Sequence, residues 1–209
     1  MPVGEDTATC YDQTQVDDKG ILQQTNTLMA SQRNLADRHT RASVDHWYPK
    51  VIGVIDGTQI KIKDPNENET DFVNRKGYHS INLQMVCDAR LRITNVMAKW
   101  PGIVHDSRIL IESELCRKFE NGEIEGLLLG DSGHPCRSYL MTPYLNTQTA
   151  AQERYNIALT RTRVLIEQTF GVLKRRFPCL SYGLRTETTS APQIRVSCVV
   201  LHNVVMDRY

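Results

Sequence analysis

The sequence of 209 residues predicts a mixed α/β fold, in which helices flank a central sheet. Three observations predict it. Polar and apolar residues alternate over 80–87, as in a half-buried strand. The short apolar run at 127–130 is typical of a strand that is buried on both faces. Residues 153–177 have the spacing of a long helix. The predicted order of elements is β-β-β-α-β-α-α, without internal repeats.

The first three predicted strands form an antiparallel meander. The apolar run at 51–55 predicts a buried strand that continues by alternation through Lys63, before the turn residues at 64–68. The strand at 80–87 ends at the tight turn Asp88-Ala89-Arg90, and residues 91–99 predict the strand that follows. Short connections of this kind join antiparallel neighbours.

The remaining elements are mostly helical. They are, in order, a helix from Asp106 to about Glu120, the strand at 127–130, the helix at 153–177 and a final helix from Pro192 to about Asp207. Pro101-Gly102 separates the first of these helices from the meander, and Pro178 ends the long helix.

Residues 1–47 differ in composition from the rest of the chain. They are polar, rich in Gln, Thr and Asp, and only weakly periodic. We predict a poorly structured leader there, with at most a short helix over 21–36, and one domain over 48–209. No membrane segment is predicted, because no apolar stretch reaches the roughly 18–20 residues that a bilayer requires. No secretory signal is predicted, because the first residues have neither a basic region nor an apolar region. The six cysteines form no C-x-x-C pair, which argues against a zinc cluster and favours a reduced, intracellular setting.

Three acidic residues indicate a possible active site. Asp56 follows the apolar run at 51–55, Asp131 follows the run at 127–130, and Glu167 lies inside the long predicted helix. Ligands gather at the carboxyl ends of strands in open sheets, so neighbouring strands would place Asp56 and Asp131 side by side. The 35 residues between Asp131 and Glu167 leave room for a helix that packs back across the sheet.

Convergence of these carboxylates would imply a metal site. Clustered carboxylates repel one another unless a cation neutralises them, and their hard oxygens suit Mg²⁺ or Mn²⁺ better than zinc. Two such ions about 3.5–4 Å apart can promote phosphodiester cleavage. Each of these residues also has a simpler interpretation. Asp56 and Asp131 would be turn-forming aspartates, and Glu167 would be a solvent-facing charge on a helix.

Basic residues concentrate around Glu167. The segment from Glu153 to Arg185 contains seven basic residues against two acidic ones, a distribution expected of a phosphate binder or of a solvated helix face. Arg163 and Lys174 share one helical stripe with Glu167. We interpret these two cations as groups that keep Glu167 ionised or that contact phosphate oxygens.

Other residues allow more than one interpretation. Gly171, on the same stripe, suggests a place of close approach. The loop containing Arg75 and Lys76 would contact DNA or be a solvated turn. Asp106 would cap a helix or, with His105, bind a metal, and the cap is the preferred reading.

The histidines give weaker signals. His202, on an apolar helix, is interpreted as a core histidine with its hydrogen bonds satisfied. His79 and His134 stand near glycines and fit either loop or site roles.

Taken in order, six motifs resemble the Harbinger (PIF-type) transposase-derived nucleases of the DDE superfamily. They are GVIDGTQI at 53–60, NRKGYHSINLQ at 74–84, PGIVHDSR at 101–108, LGDSGHP at 129–135, RVLIEQTFGVLKRRF at 163–177 and LHN at 201–203. The set spans most of the predicted domain, and its specificity comes from the order and number of the motifs.

The resemblance implies a ribonuclease-H-like core and a metal-dependent DNA endonuclease. It implies a catalytic triad of Asp56, Asp131 and Glu167 that holds two Mg²⁺ or Mn²⁺ ions, and it adds Asp106 to the metal-binding set, which reverses the preference for a helix cap. It also implies a nuclear location and a separate DNA-binding partner protein. Members usually carry a helix-turn-helix-like region before the first catalytic aspartate, which residues 1–47 do not resemble. The alternative is a catalytically silent remnant that binds DNA or protein.

Overall fold

The computed structural model describes residues 50–65, 68–186 and 191–208. The leader predicted over 1–47, with its helix at 21–36, lies outside these residues. The described elements are β1 (Val51–Lys61), α1 (Glu69–Phe72), β2 (Ser80–Cys87), β3 (Ile93–Pro101), α2 (Asp106–Ile111), α3 (Glu114–Glu120), β4 (Leu127–Leu129), β5 (Leu140–Met141), α4 (Ala150–Arg176), α5 (Cys179–Tyr182) and α6 (Ala191–Met206). Within this part of the chain, no helix has the length and apolar character needed to cross a membrane.

The strands form one mixed sheet in the order β3-β2-β1-β4-β5. The predicted meander is confirmed, since β1 pairs antiparallel with β2 and β2 pairs antiparallel with β3. Strand β4 pairs parallel with β1 on its other edge, and β5 pairs parallel with β4. Strand β5 was not predicted, because its two residues are too few to show a periodicity.

Helices cover both faces of the sheet, so the predicted mixed α/β class is confirmed. One apolar cluster joins the sheet to α4 and α6, and its members include Leu83, Met85, Leu159, Ile166, Leu173 and Val199. A second cluster on the opposite face joins the sheet to α2 and α3, and its members include Ile55, Val86, Leu110, Phe119 and Leu128. Successive strand residues point to opposite faces, so β1 contributes Val54 and Ile60 to the first cluster and Ile55 to the second.

Some helix boundaries differ from the prediction. The single helix expected from Asp106 to about Glu120 is divided into α2 and α3, because Ser113 starts a new helix by accepting a hydrogen bond from the Cys116 N–H at 3.0 Å. The long helix begins at Ala150, ahead of the predicted Glu153, where Thr149 forms a capping box. The short helices α1 and α5 were not predicted.

Helix α6 is fixed to β3 by polar side chains. The Asn203 amide pairs with the backbone of Ile93, accepting from its N–H at 2.9 Å and donating to its carbonyl at 2.7 Å. The buried His202 donates from Nε2 to the Leu91 carbonyl at 2.9 Å, and its Nδ1 accepts from Arg176 at 3.0 Å. The interpretation of His202 as a satisfied core histidine is confirmed.

We predict that His202 makes the fold sensitive to acid. Burial lowers the pKa of His202, and Arg176 acts in the same direction against the hydrogen bond to Leu91. The unfolded chain therefore binds this proton more readily, and stability falls as the pH drops below about 6.5.

Urea denaturation at about pH 7.5 and about pH 5.5 measures the effect. Replacing His202 with Gln is expected to lower stability at both pH values but to reduce the difference between them. An unchanged difference would show that other groups cause the acid sensitivity.

Candidate active site

The candidate site is organised around the pairing of β1 with β4. Asp56 lies inside β1, which continues to Lys61, so the placement of Asp56 at a strand end was wrong. Strand β4 does end before Asp131. In the parallel register, Val54 is opposite Leu129, and two further residues along each chain lead to Asp56 and Asp131. The expected proximity of the two aspartates therefore follows from the register.

Asp56 is a largely buried carboxylate, with 17% of its side chain exposed. Its Oδ2 accepts from Arg163 Nη2 at 2.8 Å, and its Oδ1 accepts from the Gly57 N–H at 2.7 Å. Burial raises the pKa of Asp56 in spite of these two contacts, and the charges of Asp131 and Asp106 raise it further. Two neighbouring acids therefore repel the charged form of the Asp56 carboxylate.

Asp131 has the opposite environment. Its Oδ1 accepts from His134 Nδ1 at 2.7 Å and from the Gly133 N–H at 3.0 Å. The hydrogen bond from His134 lowers the pKa of Asp131, against partial burial. Gln84 Nε2 lies 3.3 Å from His134 Nε2 and donates to the Asp106 carbonyl at 2.9 Å. Because an amide N–H only donates, His134 Nε2 accepts, and its proton is on Nδ1, where it orients Asp131.

Asp106 reaches the site from α2. It is the first residue of that helix, and the cap position belongs to His105. Its Oδ1 accepts from Asn82 Nδ2 at 2.6 Å, and a Cβ atom on Gly57 would lie only 2.2 Å from the same oxygen. Adjacent strand residues point to opposite faces, so Asp106 contacts β1 on the face opposite to Asp56. It lies within electrostatic range of Asp56, across the strand.

A row of buried polar side chains on β2 supports these acids. Ser80, Asn82 and Gln84 are at most 3% exposed, although the alternation had predicted that the polar side of this strand would be solvated. Asn82 binds the Asp106 carboxylate, and Gln84 links the Asp106 backbone to His134. The sequence contained one indication of this burial. Asn82 and Gln84 carry neutral amides, which can be buried in a central strand when their hydrogen bonds are made.

Glu167 is exposed on α4. One helical turn before it, Arg163 donates to Asp56, and two turns after it, Lys174 Nζ donates to Thr58 Oγ1 at 2.7 Å. The two cations therefore contact β1, and the expectation that they pair with Glu167 is not met. Among the described residues, no three His, Cys, Asp or Glu side chains are grouped closely enough to hold a metal ion. The structure thus brings the three aspartates into electrostatic range and leaves Glu167 outside that group.

The other predicted contact residues are spread around this region. The Arg75 guanidinium lies 2.9 Å from His105 Nε2 in an exposed contact, and Lys76 is exposed. Burial lowers the pKa of Lys174, and the charge of Lys76 lowers it further, so these two cations are neighbours. Gly171 has open space where its Cβ would be, so its interpretation as a place of close approach was wrong.

The donor chemistry of the site fits a hard divalent cation. The available groups are carboxylate oxygens and the Asn82 Oδ1, which is buried and has no hydrogen-bond partner among the described residues. Such oxygens are ligands for Mg²⁺ or Mn²⁺. Arg163 contributes a positive charge beside Asp56, at 2.8 Å from its Oδ2.

The mixed sheet, with helices on both faces and aspartates on adjacent strands, defines a ribonuclease-H-like fold of the DDE nuclease class. The family model described as DDE superfamily endonuclease matches residues 55–203, and the chain belongs to this family. The inferred resemblance to Harbinger transposase-derived nucleases is thereby confirmed.

Curated relatives support the same assignment. The chain is 43% identical over 163 residues to the protein named "Putative nuclease HARBI1" of Bos taurus, covering 76% of this chain and 47% of the relative. Identity to the Homo sapiens protein of that name is 42% over the same coverage, and to the Xenopus laevis protein 36% over 180 residues, covering 81% and 52%. The chain thus spans about half the length of these relatives. No solved structure shows a significant match.

We predict that replacing Gly57 with Ala destabilises the fold by about 1–3 kcal/mol. The new Cβ would overlap the Asp106 carboxylate at 2.2 Å and crowd Asn82 Oδ1 at 2.9 Å, so these side chains must move and the hydrogen bond between them is disturbed.

Gly171→Ala is the matched control, because its Cβ would enter open space on an exposed helix. There alanine should stabilise by about 0.5–1 kcal/mol. Urea denaturation compares the two variants, and equal effects would mean that the contact between Gly57 and Asp106 does not constrain the site.

Proposed function

We propose that this chain is a divalent-metal-dependent endonuclease domain that hydrolyses DNA phosphodiester bonds. The main support is the parallel register that brings Asp56 and Asp131 side by side. Family membership and the similarity to proteins named as nucleases support the reaction class. Burial, and to a smaller extent the charges of Asp131 and Asp106, raise the pKa of Asp56, which supports a cation-binding role because a bound cation would stabilise the buried carboxylate.

In this proposal, Asp56, Asp131 and Glu167 hold two Mg²⁺ or Mn²⁺ ions, and Asp106 assists from the opposite face of β1. Ions bound there would supply an activated water and charge stabilisation for the leaving oxygen. Glu167 lies on the same stripe of α4 as Arg163, and a movement of its exposed side chain would bring its carboxylate toward the aspartates. His134 holds Asp131 in one orientation through the hydrogen bond to Nδ1.

The basic residues have a second part in the proposal. Arg163 donates to Asp56, and if Asp56 held a cation, Arg163 would be available to contact a substrate phosphate. Lys174, Lys76 and Arg75 would contact neighbouring phosphates. Following the family resemblance, we further propose that the chain acts in the nucleus with a separate DNA-binding partner protein.

A catalytically silent, DNA- or protein-binding remnant is the second candidate. The observation that favours it is the arrangement of Arg163 and Glu167. Arg163 neutralises Asp56 at 2.8 Å, and Glu167 lies outside the group of aspartates, so the described arrangement does not need a metal ion.

Nicking of supercoiled plasmid DNA with Mg²⁺ or Mn²⁺ tests the nuclease. We expect Asp131→Asn and Glu167→Gln each to reduce the rate on the order of 100-fold, since each removes a group that stabilises transition-state charge. Glu153→Gln, an exposed first-turn glutamate of the same helix, is the control and should retain the wild-type rate.

A metal-binding readout separates the two candidates. Mn²⁺ should raise the melting temperature of the wild type by mass action and have little effect on Asp131→Asn. Equal nicking by wild type and both acid variants would contradict the nuclease. Metal stabilisation with no nicking would favour the silent remnant.

A further inference from the structure

A concave pocket of about 530 Å³ lies where the end of β1 meets the segment after α5. It is lined by residues 61–63 and 182–185. The two segments are hydrogen-bonded to each other, from the Lys63 N–H to the Leu184 carbonyl at 3.0 Å and from the Leu184 N–H to the Lys61 carbonyl at 2.9 Å. These backbone hydrogen bonds hold the two lining segments together, and we call residues 61–63 and 182–185 the basic pocket.

The pairing directs three cations away from the core. Ile62 and Leu184 are opposite each other in a parallel bridge, and both are buried in the main apolar cluster. Side chains alternate along extended segments, so Lys61, Lys63 and Arg185 point outward and are exposed.

Gly183 permits the close approach of the two segments. Its φ of +107° is one that side chains rarely adopt, and a Cβ there would lie 2.9 Å from the Cβ of Lys61.

The charge of the basic pocket is not balanced from within. Within the part of the chain that the structure describes, its lining contains three cations and no acidic side chain. The nearby Asp64 and Glu69 both contact His79, at 2.7 and 3.0 Å. Like charges held together repel, and an anion in the pocket would relieve that repulsion.

The distance between the basic pocket and the candidate active site indicates a polymeric anion. Lys61 is five residues after Asp56 on β1, a distance of roughly 17 Å at about 3.3 Å per residue. By the alternation along β1, Lys61 lies on the face of the strand that Asp106 contacts at Gly57, opposite to Asp56 and to Lys174 at Thr58. A strand of several nucleotides would span this distance, whereas a mononucleotide would be too short.

Tyr182 adds a surface for a base. Its side chain belongs to the pocket lining and is 86% exposed, which is unusual for a large aromatic residue. Aromatic rings beside cations are the common means by which proteins bind single strands, because every base has a face that can stack.

We propose that the basic pocket binds a single-stranded segment of the nucleic-acid substrate on one side of the cleavage site. Lys61, Lys63 and Arg185 contact successive phosphates, and Tyr182 stacks on an unpaired base. This inference rests on the proposed function for the identity of the substrate, but it concerns binding and does not require cleavage.

Fluorescence anisotropy with a labelled single-stranded oligonucleotide in EDTA tests the pocket in the full 209-residue chain. The triple variant Lys61→Gln, Lys63→Gln, Arg185→Gln should bind at least about tenfold more weakly at about 50 mM salt. Its slope of log K against log salt should be shallower by about two, since about 0.7 is lost per single-strand phosphate contact. The control variant Arg117→Gln, Lys118→Gln, Arg154→Gln removes the same charge outside the pocket and should retain the wild-type slope.

Variants of Tyr182 separate stacking from charge. Tyr182→Ala should weaken single-strand binding about tenfold without changing the salt slope, and Tyr182→Phe should restore it. Neither should alter binding of a fully paired duplex, whose bases are already stacked.

Three results would overturn the proposal. The first is that the wild type does not bind the oligonucleotide, and the second is that the pocket and control triple variants lose equal affinity for it. The third is that the pocket triple variant loses affinity for heparin and for the oligonucleotide in parallel, while Tyr182→Ala changes neither affinity. The last result would identify a general polyanion surface. If the wild type does not nick DNA but its oligonucleotide binding depends on the pocket residues, only the nuclease proposal is contradicted. If the wild type nicks DNA but its oligonucleotide binding does not depend on the pocket residues, only the pocket proposal is contradicted.

Discussion

The parallel pairing of β1 with β4 is the constraint on which the candidate site depends. Strand β1 is paired on both edges and packed on both faces, so it cannot shift its register without exposing an apolar cluster. That register places Asp56 beside the end of β4, where the chain leaves the sheet at Asp131. Strand β4 ends at Leu129, so it does not pair with β1 at Asp56.

The ion pair of Asp56 with Arg163 connects stability with chemistry. A carboxylate that is removed from water must be paired with a cation. Removing one partner of a buried ion pair costs about 3–5 kcal/mol. The cost is lower for this pair, because both side chains are 17% exposed and water still reaches them. Arg163 supplies that partner from α4 and ties the helix to β1. In the proposed function, a cation at Asp56 would compete with this contact, so cation binding would be coupled to release of Arg163.

The sequence was sufficient for the meander and for the long and final helices, because periodicity determines these features. It predicted the proximity of Asp56 and Asp131 only on the condition that their strands are neighbours, and the pairing of β1 with β4 meets that condition. It missed β5, whose two residues form a strand only through pairing with β4. It also gave no basis to predict the break at Ser113 within an otherwise regular apolar spacing. Whether Glu167 faces the aspartates depends on the rotation of α4 about its own axis. The sequence pattern shows which side of the helix is apolar, but it does not determine that rotation precisely enough to place one side chain.

The buried amides of β2 show why the acids are held more rigidly than their positions on loops and helix ends suggest. Asp131 lies after a strand and Asp106 begins a short helix, and such segments move easily by themselves. Gln84 connects both, through His134 on one side and the Asp106 carbonyl on the other. Since Gln84 belongs to a strand paired on both edges, it transmits the rigidity of the sheet to the two acids. The central strand β2, which contributes no acid of its own, therefore determines the geometry of the acidic group.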